Sequence, residues 1–195
     1  GDLAFYLSSL TEQEIGVGNN QLAKAELRNS VEWASSTTFN NVWNSTYTNL
    51  LNIREIIRKI ETEVPGNVGQ YDLLGIAQVL EALNWGVLTD VHGDIPYSEA
   101  LKGQEILQPK LDSQKDVYVG ILATLDKAIE NLEKGINMKS SKDQDLAFGG
   151  NAKKWMATAY ALKARYLIHQ LAVNPSVLSL AKAAAEKAVE LGFET

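Results

Sequence analysis

The sequence predicts an all-α fold, and three observations carry that prediction. Apolar residues recur at three- and four-residue steps over several long windows, the spacing that gathers them on one face of a helix. No run of useful length alternates apolar with polar residues, as a half-buried strand would. The windows are bounded by residues that stop or start helices: Pro65–Gly66, Gly135 and Asn174–Pro175.

Taken in order, residues 3–14 predict a short helix carrying Leu3, Phe5, Tyr6 and Leu10, ahead of the turn-rich GVGNN. Residues 20–37 are mixed and predict no element. Asn40 to Glu63 is a clear amphipathic helix, with Val42, Trp43, Tyr47, Leu50, Leu51, Ile53, Ile57 and Ile60 largely on one face. Pro65 disfavours helix at Val64, and Gly66 supplies the turn. Gln70 to Val91 carries Tyr71, Leu74, Leu80, Trp85 and Leu88, with Gly75, Ala82 and Gly86 small enough to admit a neighbouring helix.

An extended segment follows. The next helix then runs to Lys134, with Asp112 or Ser113 as N-cap and Gly135 just past its end. Ala152 to Leu171 is apolar nearly all round, which predicts a central position. Asn174 and Pro175 read as N-cap and N1 of a last helix ending at Gly192. Helices 40–63 with 70–91, and 113–134 with 152–171, are expected to pair as antiparallel hairpins, with Trp43, Trp85 and Trp155 buried. Hairpins bearing an aromatic residue on one member and small residues on the other resemble tetratricopeptide repeats. The spacing is too irregular for a regular array, so the architecture expected is an irregular helical-repeat scaffold with long loop inserts.

Composition narrows the function. A chain of 195 residues buries a core of its own, as one domain or half of a larger helical one. A net charge of −6 without a basic stripe argues against nucleic acid. The absence of cysteine removes disulfides, thiol nucleophiles and cysteine-based zinc sites. No run approaches a membrane-spanning length, and Gly1 opens the chain without a leader, so it reads as a fragment whose export signal has been removed.

The densest polar cluster is LTDVHGDIPYSEAL, Leu88 to Leu101. Asp90, Asp94 and Glu99 there suit either a site or a helical corner. In the structural reading Gly93 takes the turn, Pro96 fixes the corner, and the aspartates cap orphan backbone N–H groups; this reading is preferred. His92 is a weak metal ligand or base, since the other histidine is the distant His169 and no HExxH spacing occurs. No metal site, cofactor or catalytic residue is therefore expected. Trp33 differs from the other indoles, because no periodic stripe surrounds it in NSVEWASSTT. With Tyr6 and the amides Asn19 and Asn20, it is the expected ligand contact, an apolar platform beside hydrogen-bonding groups.

Three ordered stretches carry a family resemblance. GIAQVLEALNWGVLTDVHGDIPYSEAL is similar to the helix and Gly-Asp-Ile-Pro-Tyr corner of the SusD/RagB family, through Leu88, Asp90, Gly93, Asp94, Ile95, Pro96 and Tyr97, with His92 where an aromatic is usual. VWNSTYTNLLNIREII resembles its Trp-x-x-x-Tyr helix, and LAFGGNAKKWMATAYALKARYLIH its later tryptophan helix. The resemblance as a whole covers about Asn40 to Leu191. The resemblance implies an outer-membrane, lipid-anchored nutrient-binding protein of Bacteroidetes, exposed at the cell surface. It would capture a glycan or peptide, an oligosaccharide before a peptide, and pass it to a SusC-type TonB-dependent porin without catalysis. A corner that recurs among binders of different ligands is scaffold. Family members are longer, so residues 1–39 are expected to form an N-terminal helix and loops, and 40–195 the repeat-bearing part of a larger domain. Two alternatives stand beside this: an all-α glycosidase using Asp90 and Asp94, and a helical-repeat protein–protein adaptor.

Overall fold

The computed structural model describes residues 2–17, 23 and 39–194. Among these there are six α-helices and no strand beyond one isolated bridge: α1 (Asp2–Leu10), α2 (Asn40–Glu61), α3 (Tyr71–His92), α4 (Gln114–Lys134), α5 (Ala152–His169) and α6 (Val177–Glu190). The all-α prediction holds. The chain divides into two compact units, Gly1–Asn49 and Leu50–Thr195.

In the first unit α1 ends four residues earlier than its apolar pattern suggests, in a turn where Glu12 takes φ 61°. Tyr6 is buried, with its ring edge-on to Phe39 at 5.4 Å between centroids. Val42 and Thr46 bury the inner side of the first turns of α2. Trp43 is only half-buried, its ring tilted against Tyr47 at 4.9 Å, so the burial expected of it is not reached. Trp33, Asn19 and Asn20 lie outside the described residues.

In the second unit α3 packs along α4, α4 along α5, and α5 along α6, and α5 also meets α3. α5 thus touches three helices, as its apolar circumference predicts. Small residues set how close these helices come. A Cβ on Gly75 would lie 2.5 Å from Leu132 Cγ of α4, and one on Gly86 would land on the Tyr166 hydroxyl of α5. The core runs through Trp85, Leu88, Val117, Ile121, Leu125, Leu132 and Tyr166.

The helix ends show local chemistry at work. Ser113 caps α4, its Oγ accepting from Asp116 N, and Asn151 caps α5 by accepting from Lys154 N. Gly135 has φ −90°, so it is not there for a left-handed turn; a side chain at this position would strike the backbone of Asp72. Gly192 does take a left-handed φ of 93°, with Phe193 N bonded to Ala188 O and Gly192 N to Val189 O. This is the paired bonding of a Schellman stop. The last helix begins at Val177 rather than Pro175, with Ser176 at its N-cap. Asn174 instead accepts from the Ser176 hydroxyl at 2.6 Å and forms a preceding turn.

Two carboxylates, the buried Asp72 and the partly exposed Asp145, hold the 136–151 loop. Asp72, fully buried in the first turn of α3, accepts from Ser140 N at 2.6 Å and Ser140 Oγ at 2.7 Å. Asp145 accepts from Ala147 N, Phe148 N, Gly150 N and Trp155 Nε1. Trp155 is accordingly buried with its indole N–H satisfied.

Candidate functional site

The corner after α3 is built from its sequence in steps. Gly93 closes the helix at φ 75°, its N–H bonded to Thr89 O, while the buried Thr89 hydroxyl donates to Gly93 O at 2.8 Å. The chain turns outward, and Ile95 pairs with Asp112 in an antiparallel bridge, N to O at 3.2 and 2.9 Å. Pro96 leads into Tyr97, whose ring stands edge-on to Trp85 at 4.9 Å. A Cβ on Gly120 would collide with the Tyr97 hydroxyl, so α4 can receive this ring only through a glycine. Burial, then the charge of Glu81, pushes the Tyr97 phenol up.

Asp94 and Asp90, the two aspartates singled out in the sequence, have separate partners. Asp94 Oδ1 accepts from Gln114 N at 2.9 Å and so satisfies an orphan N–H at the start of α4. That is the capping role expected of it. Among the described residues Asp90 caps no backbone group in this way. Its Oδ1 accepts the Tyr118 hydroxyl of α4 at 2.5 Å and lies 3.1 Å from His169 Nδ1 of α5. One carboxylate therefore links three helices. Burial, followed by the hydrogen bond to Asp90 and its charge, raises the Tyr118 phenol above its ordinary range. Tyr166 is raised too, by burial and then the charge of Asp90. Burial alone pushes the His92 imidazole down.

Asp112, Tyr118 and His169 were not singled out as partners of the corner. Asp112 reads in the sequence as a candidate N-cap and Tyr118 as core, and neither signal points to the corner. Beneath the corner, Arg54 bonds Glu81 at 3.0 Å and Ala100 O at 3.0 Å, and lies 5.1 Å over the Trp85 ring. This network fixes the inner side of the turn.

Tyr6, expected as a ligand contact, is 5% exposed, with its ring set against Phe39. An apolar cleft of about 510 Å³ opens between α4, α5 and α6, lined by Leu122, Tyr160, Leu167, Leu180 and the Asp126–Lys163 ion pair. Among the described residues no group of three or more His, Asp or Glu side chains could hold a metal, and no helix is long and apolar enough to cross a membrane.

A scaffold of stacked helix pairs, with its polar corner spent on capping and cross-linking, has the form of a helical-repeat protein. The comparisons agree. A family model described as SusD-like, starch-binding and associating with the outer membrane, matches residues 13–194. A SusD/RagB family protein from Bacteroides thetaiotaomicron is 37% identical with a TM-score of 0.85, over 100% of this chain and 39% of that one. A SusD homologue from Bacteroides uniformis is 31% identical (TM-score 0.59, 73% of this chain and 27% of that one). A chitin-binding SusD homologue from Flavobacterium johnsoniae is 27% identical (TM-score 0.59, 75% and 29%). No curated protein is significantly similar to the chain. The chain belongs to the SusD-like family, and it spans about two fifths of the length of the first of these structures.

Proposed function

We propose that the chain is part of a non-catalytic glycan-binding protein at the outer-membrane surface, which hands its ligand to a SusC-type TonB-dependent porin. The observation that carries this reading is the family match over residues 13–194, with its starch-binding, outer-membrane description. The chitin-binding relative supports a glycan as the ligand class. The carboxylates argue in the same direction. A glycosidase acts through a pair of carboxylates on one bond, and the two candidates here have structural partners instead, Asp94 with Gln114 N and Asp90 with Tyr118 and His169. Lipid anchoring, cell-surface exposure and delivery to the porin belong to the proposal, as does ligand contact at Trp33 with Asn19 and Asn20. The test is titration calorimetry with starch and chitin oligosaccharides, followed by chromatography of the same mixtures. Saturable binding with the sugars recovered intact is expected. Shortened products, or no binding to any glycan, would overturn the reading.

A further inference from the structure

We propose that residues 101–111 form a strap that opens as a unit on two fixed feet, with the Asp112 carboxylate as the clasp between them. The first foot is Ile95 to Ala100. Ile95 and Ala100 are buried, Tyr97 is wedged between Trp85 and Gly120, and Arg54 holds Ala100 O. The second foot is Asp112 to Gln114, where the helix cap at Ser113 and the bond from Asp94 to Gln114 N anchor the chain to α4.

Between the feet no residue is buried, and Leu107 and Leu111 stand 81% and 66% exposed. The strap leaves its first foot through two left-handed residues, Leu101 at φ 63° and Gly103 at φ 59°. A left-handed leucine is an uncommon backbone state, and it stands where a hinge must absorb rotation. Inside the strap Glu105 N bonds Lys102 O, a local turn that can travel with it. Few buried contacts and near-adjacent ends are the features of a loop that opens without unfolding its neighbours.

The feet are joined by the main-chain bridge of Ile95 and Asp112 and by one side chain. Asp112 Oδ2 accepts from Tyr97 N at 3.1 Å and Ser98 N at 2.7 Å, and the Ser98 hydroxyl lies 2.9 Å from both carboxylate oxygens. Lys110 N adds a bond to Glu99 at 3.0 Å, and Lys110 Nζ lies 3.6 Å from Asp112 Oδ1. Removing the Asp112 carboxylate should therefore lengthen the moving segment back to Tyr97 and leave α3 and α4 as they are.

Amide hydrogen exchange on the whole chain at neutral pH tests this. In the unaltered protein, amides 102–108 should exchange almost as fast as free peptide, while Tyr97 and Ser98 are protected. Asp112→Ala should cut protection at Tyr97, Ser98 and Lys110 by roughly tenfold or more, as expected for loss of a charge-assisted hydrogen bond, with Val79 and Ile121 unchanged. Protected amides across 102–108 would overturn the strap. Unchanged protection at Tyr97 and Ser98, or an equal loss throughout α3 and α4, would overturn the clasp. Should Asp112→Ala fail to fold, that failure counts against independent opening, and Ser98→Ala then decides whether the feet separate locally.

Discussion

Tyr118 donates its phenolic hydrogen to Asp90 Oδ1 across 2.5 Å, joining the start of α4 to the end of α3. His169 Nδ1 reaches the same oxygen from α5. Tyr118→Phe removes the donor and leaves a charged acceptor half in solvent. We expect a loss of about 1–2 kcal/mol in urea unfolding, with glycan binding unchanged. An unfolding midpoint equal to that of the parent protein would show that the bond adds nothing net.

Asp94 takes the opposite kind of partner, a backbone N–H at the start of α4. Asp94→Ala should cost on the order of 1 kcal/mol, the scale of a lost helix cap. Glycan affinity should hold within experimental error. Binding that disappears while the melting temperature stays put would make the corner a ligand site instead.

Gly86 lies where α3 meets α5, under the Tyr166 hydroxyl. Gly86→Ala gains helix propensity yet forces the tyrosine or the helix aside. Overpacking of this kind costs about 1–3 kcal/mol, so thermal unfolding should move downward. A rise in melting temperature would mean that the two helices part without cost.

Asp145 sets a pH dependence whose sign can be worked out. Burial acts to raise its pKa, but hydrogen bonds from Trp155, Gly150, Phe148 and Ala147 outweigh that and hold it below the ordinary carboxylate value. A folded pKa below the unfolded one gives stability that is present at neutral pH and lost as pH falls through the folded value. Stability should therefore decline on acidification below about pH 4, and Asp145→Asn should flatten that decline while lowering stability at pH 7. Identical pH profiles for the two proteins would remove Asp145 from the account.

Trp33→Ala tests the proposed ligand contact. By analogy with stacking of bases on aromatic side chains, affinity for an oligosaccharide should drop by about 1–3 kcal/mol, with little change in melting temperature. Calorimetry showing the parent affinity would retire Trp33 as a platform.

The sequence by itself determined what depends on local spacing. The 3.6-residue period located the helices, Ser113 stands as a cap, Gly192 ends α6 by its left-handed turn, and Gly75 and Gly86 mark close helix approach. The motif around Asp94, Pro96 and Tyr97 was legible as a corner for the same reason, since a capping carboxylate and a turn glycine are local requirements. Tertiary structure alone decided the partners. Asp90 finds Tyr118 across 28 residues, and Asp72 finds Ser140 across 68, because packing brings distant turns together and no local pattern encodes which ones. The same cause buries Tyr6 against Phe39 and leaves Trp43 half in solvent, though both lie on apolar stripes. A stripe states that a face is to be covered; how fully each ring is covered depends on what the rest of the chain lays against it.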